Sequence, residues 1–405
     1  MMTLVFWVSV AIIAYVYMGY PLALRVWARH GGLRTADCGF VDDWPGLSII
    51  VAARNEGPRL AARIDNLLSL DYPADKRQII VVSDGSTDNT LDVLERYGEL
   101  VEAVAIPPGG KATALNAGVA RARFEVLVFA DARQVFASDA LRQLVAPFAD
   151  PSVGGVTGEL LLDAESPCRR AGRDRRGGHA GPPLHNDVEA DPCVDPDRRT
   201  GTERRLTVRS TIADGVGLYW TYEKQIRRLE SAIDSTLGAT GAIYAMRRSL
   251  FQPLPAETLL DDVLTPMRVV LAGFRVVFNE RARAFDRAAI DADAEARRKV
   301  RTLAGNYQIL ALEPRLLLPW HNRVWLQYVS HKIGRLVVPY AMLAIFGASI
   351  VLAVDHLFYL LVLGAQVGVL LLAGCGAVIE YRGQIADGRF AAMQRPLAPA
   401  ARRVA

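Results

Sequence analysis

Three long segments without a formal charge most constrain what this chain can fold into. They are Leu4–Leu24, Leu336–Val354 and Leu357–Ile379, and each is close to the roughly 20 apolar residues that a membrane-spanning helix needs. Only Asp355 and His356 separate the last two segments, so this pair is predicted to form a helical hairpin. The sequence therefore predicts one N-terminal and two C-terminal transmembrane helices, in contact with a lipid bilayer.

The first segment could instead be a cleaved signal peptide. No basic residue precedes it, whereas Arg25, Arg29 and Arg34 follow it, which favours a retained anchor with its basic end in the cytoplasm. Basic residues also flank the C-terminal pair, for which a buried soluble hairpin is the weaker alternative. We expect a multi-pass protein of the cell (inner) membrane, with the hairpin tip outside and the chain between the spans in the cytoplasm.

The segment before the hairpin, 311–335, is rich in aromatic residues. Trp320, Trp325 and Tyr328 alternate with His and Arg, which is typical of a segment at the lipid headgroups. A surface helix of a soluble domain is the alternative. The expected organisation is an anchor at 1–25, a globular domain at 45–310, this interfacial segment, the hairpin at 336–379 and a cytoplasmic tail at 380–405.

Charge and cysteine content exclude several classes of protein. The net charge is +4 and 22% of the residues are charged, with both signs mixed, so nothing indicates a nucleic-acid partner. The four cysteines are far apart and form no CxxC pair. Neither a disulfide framework nor a standard zinc site is predicted.

Short apolar runs alternate with helical patterns from Leu47 onward. The runs LSIIVAA, QIIVVSD, VEAVAI and FEVLVFAD read as strands, and the segments between them read as helices. This alternation predicts an α/β domain with a mostly parallel sheet.

Two aspartates, Asp84 and Asp131, stand at the carboxyl ends of predicted strands. Either could be a turn or a helix cap. The carboxyl edge of an open parallel sheet is also where ligands bind, which favours a functional role. The nearby glycines match neither GxGxxG nor a P-loop, so no dinucleotide or Walker site is predicted.

The amino-acid composition of the chain changes between about 163 and 209. This stretch is rich in Arg, Asp, Gly and Pro and nearly free of apolar residues, so it is predicted to be a disordered insertion. Its Cys168, His179, His185 and Cys193 match no standard zinc spacing, and a solvated loop is favoured.

Six segments in order resemble the membrane-bound inverting glycosyltransferases of family 2, near the cellulose and hyaluronan synthases and the ceramide glucosyltransferases. The resemblance runs from Leu47 to about Leu310, and its motifs are VAARNE, VVSDGSTDNT, GGKATALNAG, FADARQ, LLDDV and RRKVRTLAGNYQIL. It implies a GT-A fold, Rossmann-like with a mostly parallel sheet, and a nucleotide-sugar site at the carboxyl edge.

The resemblance also assigns the donor site. Asp84 would contact the nucleoside, with Arg54 and Glu56 beside it, and Lys111 would lie near the ribose or the diphosphate. Asp131 would occupy the first position of the DxD motif and bind a divalent metal, Mg²⁺ or Mn²⁺.

The implied catalytic residues lie later in the chain. Asp262 would be the general base that takes the proton of the acceptor hydroxyl, and Asp261 stands where the family has glutamate. Arg298 and Arg301 match the charged positions of the (Q/R)xxRW motif, which closes over the donor diphosphate and lines the acceptor site. The alternative is a purely structural role for each. Asp262 could be a helix cap, and the two arginines could form a helix surface that faces water or lipid.

The sequence departs from the family pattern at two positions. Arg133 replaces the second DxD acid and would supply positive charge near the donor, which weakens the expectation of a metal. Thr302 replaces a tryptophan that stacks on the acceptor sugar, which weakens the case for a polysaccharide acceptor.

These features favour an inverting glycosyltransferase that moves a sugar from a nucleotide-sugar, such as a UDP-sugar, to a membrane lipid or glycan. The alternatives are a processive polysaccharide synthase, a sugar nucleotidyltransferase and a catalytically dead membrane scaffold. A nucleotidyltransferase would need acids for two metals and has no need of a membrane hairpin.

Overall fold

The computed structural model of the chain describes residues 1–30, 44–163, 211–287 and 292–386. The insertion predicted at 163–209, with its four zinc candidates, lies almost wholly outside the described residues. So does most of the predicted tail.

Within the described residues, the strands of the globular part form one eight-stranded sheet in the order β3-β2-β1-β4-β7-β6-β8-β5. The strands are β1 (Leu47–Ala53), β2 (Arg77–Asp84), β3 (Glu102–Ile106), β4 (Val126–Asp131), β5 (Val135–Phe136), β6 (Val153–Asp163), β7 (Ile243–Arg247) and β8 (Arg275–Arg287).

The half of the sheet that contains β1 to β4 is parallel, as the sequence predicts. β1 pairs in parallel with both β2 and β4, and β2 pairs in parallel with β3. The strands β1, β2 and β4 are buried along nearly their whole length, which explains their continuous apolar runs. β7 then pairs antiparallel with both β4 and β6, while β6 and β8 are parallel. The sheet is therefore mixed but mostly parallel.

Helices connect the strands, and further helices lie near both ends of the described residues. The helices of the globular part are α3 (Gly57–Leu68), α4 (Thr90–Glu95), α5 (Gly110–Arg121), α6 (Ala140–Val145), α7 (Thr211–Ile233), α8 (Asp261–Leu271) and α9 (Ala292–Leu312). The apolar and terminal helices are α1 (Met2–Ala14), α2 (Tyr20–His30), α10 (Trp325–Tyr328), α11 (Gly334–Leu352) and α12 (Leu357–Ala386), with π turns at Tyr15–Gly19 and Val329–Ile333.

The core lies between the sheet and its covering helices. Side chains of β1, β2 and β4 pack with Leu60, Ile64 and Leu67 of α3 in one buried cluster. These three residues share the i, i+4, i+7 face of the helix, which is the apolar stripe that an amphipathic helix turns to a sheet. The strands that end at Asp84 and Asp131 are thus anchored in this core.

Among the residues that the structure describes, three helical stretches are long and apolar enough to cross a membrane, namely Met2–His30, Trp325–Leu352 and Leu357–Gly376. The prediction of one N-terminal and two C-terminal spans is confirmed at this level. The second helix begins at Trp325 and passes through the π turn before Gly334. The last part of the predicted interfacial segment is thus continuous with that helix, because no helix-breaking residue lies between Trp325 and Gly334.

The described chain divides into two compact units. One contains Met1–Gly19 and the described residues from Ile333 onward, and the other contains Tyr20–Lys332. The sheet and all the candidate site residues belong to the second unit.

Candidate active site

The loops after β1 and β2 are tied to each other at the carboxyl edge of the sheet. Asn55 has a positive φ of 54°, a conformation that asparagine tolerates better than most residues. Its side-chain oxygen accepts a hydrogen bond of 2.8 Å from the backbone N–H of Thr87, and its own N–H donates to Ser86 Oγ at 3.1 Å. The segment DGSTDNT therefore does more than cap a helix, because it fixes the preceding loop.

Asp84, at the end of β2, holds the glycine turn that precedes α5. Its buried carboxylate accepts hydrogen bonds from the backbone N–H groups of Gly109, at 2.6 Å, and Gly110, at 3.0 and 3.1 Å. Gly110 has a φ of +84°, which favours glycine there. Arg54 lies 3.9 Å from Asp84 Oδ2. Asp84 thus sets the start of α5 and the position of the next residue, Lys111.

Lys111 joins the end of β4 to the start of α8. Its ammonium nitrogen lies 3.1 Å from Asp131 Oδ1 and 3.3 Å from Asp261 Oδ2. Burial opposes the charged form, but the carboxylates of Asp261, Asp131 and Asp262 outweigh it and raise the pKa of Lys111 above its ordinary value. The amine is therefore a fixed cation among three carboxylates.

Asp262 borders a pocket of about 140 Å³. Burial first, and the neighbouring Asp261 second, raise the pKa of its carboxyl from 3.8 to about 6, although Lys111 and Lys332 oppose the shift. A Cβ atom on Gly241 would lie 3.0 Å from Asp262 Oδ2, so a glycine leaves room for this carboxylate. Asp262 is a carboxyl group whose pKa suits proton transfer near neutral pH.

Arg133 forms an ion pair with Glu56, which lies outside the Lys111 cluster. Its Nε donates a hydrogen bond of 2.9 Å to Glu56 Oε1, while 63% of its side chain remains exposed. Glu56 is buried and also lies 3.5 Å from Arg59. The cation that replaces the second DxD acid is thus held at the rim of the site, next to another of the predicted donor residues.

Helix α9 holds the segment that precedes the paired aspartates. Arg301 Nη2 donates to the carbonyl oxygen of Leu259 at 3.0 Å, and Gln308 Oε1 accepts from the Leu259 N–H at 2.9 Å. Arg298 lies on an exposed face of the same helix. Thr302 lies on the wall of the pocket beside Asp262, at the position predicted to face the acceptor.

The structure thus brings the predicted residues together in two neighbouring groups. Lys111, Asp131 and Asp261 form an ion-paired cluster next to Asp262, and Glu56 forms a second ion pair with Arg133. Asp84 is linked to the first group through the turn at Gly109–Gly110, and Arg301 is linked through Leu259.

Sequence reasoning missed the far wall of the pocket. This wall includes four ionisable side chains, from Glu223, Glu230, His331 and Lys332. The glutamates lie on α7, where mixed charge looks like an ordinary amphipathic helix. What distinguishes these glutamates from ordinary surface residues is their contact with His331, a residue distant in the sequence. No local sequence pattern indicates that contact.

Comparison with known proteins identifies the family of this chain. The family model of glycosyl transferase family 2 matches residues 48–252, about half of the chain. This range includes β1 to β7 and the predicted donor residues.

Two curated relatives match a shorter segment. A poly-β-1,6-N-acetyl-D-glucosamine synthase of Staphylococcus aureus is 32% identical over 130 residues, or 31% of each chain. A β-monoglucosyldiacylglycerol synthase of Synechocystis is 35% identical over 130 residues, which are 31% of this chain and 27% of that protein. The aligned segment thus spans about a third or less of these relatives.

Among solved structures, a mannosyltransferase of Pyrobaculum calidifontis, determined with GDP-mannose and Mn²⁺, superposes with a TM-score of 0.63. The superposition covers 91% of this chain and 92% of the mannosyltransferase at 19% identity, which shows a common GT-A-like fold. The family match over half of the chain shows that the chain belongs to glycosyl transferase family 2 and is a glycosyltransferase.

Proposed function

We propose that this glycosyltransferase is a membrane-bound, inverting enzyme that moves a sugar from a nucleotide-sugar donor to a lipid or glycan acceptor by a single displacement. The observation that carries the proposal is Asp262, a carboxyl group with a pKa raised to about 6 on the wall of a pocket. Its neighbour in sequence, Asp261, is joined to the Lys111 cluster. A base and a cationic donor site therefore adjoin each other.

The donor would lie along the carboxyl edge of the sheet. A carboxylate has about four lone-pair sites, and the two glycine N–H groups occupy most of those on Asp84. Asp84 would contact the nucleoside through its remaining lone-pair site, beside Arg54 and Glu56. Lys111 and Arg133 would face the diphosphate, whose negative charge grows as the anomeric C–O bond breaks. A UDP-sugar is our first candidate donor, and GDP-sugars belong in the same test.

The residues fit a divalent metal that arrives with the donor. No group of three or more metal-ligating side chains lies within the parts of the chain that the structure describes. Mg²⁺ is usually held by only one or two carboxylates together with substrate phosphates. Asp131, about a third exposed at the edge of the sheet, would provide one such carboxylate. Mg²⁺ or Mn²⁺ would supply positive charge to the leaving diphosphate.

The acceptor hydroxyl would approach from the pocket. Ionised Asp262 would take its proton as the oxygen attacks the anomeric carbon from the face opposite the diphosphate, so that the configuration inverts. Lys111 stays protonated and bound to Asp261, which leaves Asp262 as the carboxylate that faces the acceptor. Arg301 would keep the aspartate pair in place through Leu259.

The domain organisation completes the proposal. We assign 45–310 to the catalytic domain and place it at the cytoplasmic face of the inner membrane, anchored by the three apolar helices. The names of the relatives support products of the glycan or glycolipid class. Either acceptor would be presented at the membrane surface.

The experiment that tests this function uses the full chain in nanodiscs. Nucleoside diphosphate release would be measured across UDP- and GDP-sugars, with a membrane lipid extract as acceptor, and the product would be examined by proton NMR. Release with one donor, together with an inverted anomeric centre, is expected. Donor binding without release from any donor would support the scaffold alternative instead, and a retained configuration would rule out the single displacement.

A further inference from the structure

We infer that the pocket beside Asp262 receives a neutral, hydroxyl-bearing headgroup, either sugar or glycerol, and that Glu230 positions it by accepting one of its hydroxyl protons in a hydrogen bond. A phosphate headgroup would be excluded. This inference rests on the proposed glycosyl transfer and names the class of its acceptor.

Glu230 is a fully buried carboxylate on the pocket wall. Its Oε1 accepts hydrogen bonds from the Tyr20 hydroxyl at 2.6 Å and from His331 Nδ1 at 2.7 Å. Its Oε2 is also buried and has no hydrogen-bond partner among the described residues. An acceptor atom left in this state is costly, and a ligand hydroxyl in the pocket would satisfy it.

The carboxylate is held in one orientation. Tyr20 lies on α2 and His331 lies in the π turn before α11, so two separate elements donate hydrogen bonds to Oε1 of Glu230. The His331 ring also has its Nε2 3.4 Å from Glu223 Oε1. Such support is what keeps a binding group in place before its ligand arrives. Glu230 is thus a preorganised acceptor of hydrogen bonds.

The charge of the pocket argues against a phosphate. Its wall carries three acids, Glu223, Glu230 and Asp262, and three bases, Arg227, His331 and Lys332. Even with His331 protonated, the formal charges cancel. Arg227 already lies 3.8 Å from Glu223 and donates to Thr240 at 2.9 Å. Phosphate sites depend on surplus cations, and the wall provides none.

The size and the remaining wall fit a small polar headgroup. The pocket, at about 140 Å³, is smaller than the roughly 300 Å³ at the lower end of drug-sized ligand sites. Thr302 and Asn306 add neutral polar groups to the same wall. The pocket therefore offers neutral polar groups beside its charged side chains, as the hydroxyls of a headgroup require.

The test compares two acceptors that share one alkyl chain, octyl β-glucoside and octyl phosphate, below their micellar concentrations, with the full chain in nanodiscs. Wild type should glycosylate octyl β-glucoside and not octyl phosphate. Transfer to methyl β-glucoside as well would indicate a free glycan as the source of the hydroxyls, and transfer to the octyl compound alone would indicate a lipid; both support the inference.

The Glu230→Gln variant tests the residue. It should raise KM for octyl β-glucoside by about 10-fold or more, because a hydrogen bond to a charged group is lost, with little change in kcat. The control is Glu280→Gln, which removes a partly exposed acid that pairs with Arg228 on the same helix but lies outside the pocket. This control should keep the wild-type KM.

Slow donor hydrolysis without acceptor separates the possible failures. If wild type hydrolyses no donor and transfers to neither acceptor, the proposed function is wrong. If it prefers octyl phosphate, or if Glu230→Gln keeps both hydrolysis and the wild-type KM, the acceptor inference is wrong while the function stands. Should the variant lose donor hydrolysis through misfolding, the headgroup preference of wild type still decides the matter.

Discussion

The Lys111 ammonium lies 3.3 Å from the carboxylate of Asp261, which is buried. Helix α5 and helix α8 meet through this pair, and Asp84 sets the position of Lys111 by holding the first residue of α5, Gly110. Because of this pairing, the two adjacent aspartates have different roles. Asp261 balances the lysine, and Asp262 remains available at the pocket.

Replacing Lys111 should affect both the donor site and the base. Lys111→Met leaves Asp131 and Asp261 without their shared cation, so we expect at least a 100-fold loss of kcat/KM for the donor, in the range found when one preorganised electrostatic group is removed. Because Lys111 lowers the pKa of Asp262, the acidic limb of the pH–rate profile should move to higher pH. A limb that stays in place while activity falls would show that Lys111 and Asp262 are not coupled.

Two substitutions of Asp84 distinguish its role in holding the glycine turn from its role in binding the donor. Asp84→Asn keeps an oxygen that can accept from Gly109 but loses the negative charge, whereas Asp84→Ala orphans the N–H groups of Gly109 and Gly110. We expect Asn to raise the donor KM with a nearly unchanged Tm. Ala should in addition destabilise the fold by about 1–3 kcal/mol. Equal melting temperatures for the two variants, measured by thermal denaturation, would contradict the loop role.

The sequence predicted the parallel half of the sheet and the place of Asp84 and Asp131, because strand runs and strand-end acids are local signals. It also predicted the three apolar helices. It could not predict that Asp261 meets Lys111, or that His331 meets Glu230 at 101 residues' separation. Those contacts depend on how β7, α7 and α8 assemble, and the surrounding sequence looks like ordinary amphipathic helix.

The raised pKa of Asp262 has a consequence for stability. The folded state binds the proton more tightly than the unfolded chain, so stability falls as pH rises from 3.8 through about 6. Asp262→Asn removes this cost and should stabilise the protein above that range, by about 3 kcal/mol. The gain should vanish below the window.

Thermal denaturation across pH checks this expectation. The matched control is Asp139→Asn, a change at the N-cap of α6, which should show no gain at high pH. A Tm for Asp262→Asn equal to wild type throughout would show that the Asp262 carboxyl is not perturbed.

Metal dependence is expected to follow the donor. EDTA should abolish transfer and Mn²⁺ should restore it, and Mn²⁺ binding seen by electron paramagnetic resonance should require nucleoside diphosphate, because Asp131 offers one carboxylate. Arg133→Asp should tighten that binding several-fold by adding a second acid. Arg121→Asp, at another exposed arginine, is the control. Full activity in EDTA would contradict the role of Asp131 as a metal ligand.

The most direct test of the account is the pH dependence of kcat/KM for nucleoside diphosphate release in the presence of acceptor, for wild type and Asp262→Asn. We predict that kcat/KM of the wild type rises through about pH 6, where Asp262 ionises. Asp262→Asn should lose this pH dependence and at least about 100-fold in rate. A variant that keeps the wild-type rate and pH profile would contradict Asp262 as the base.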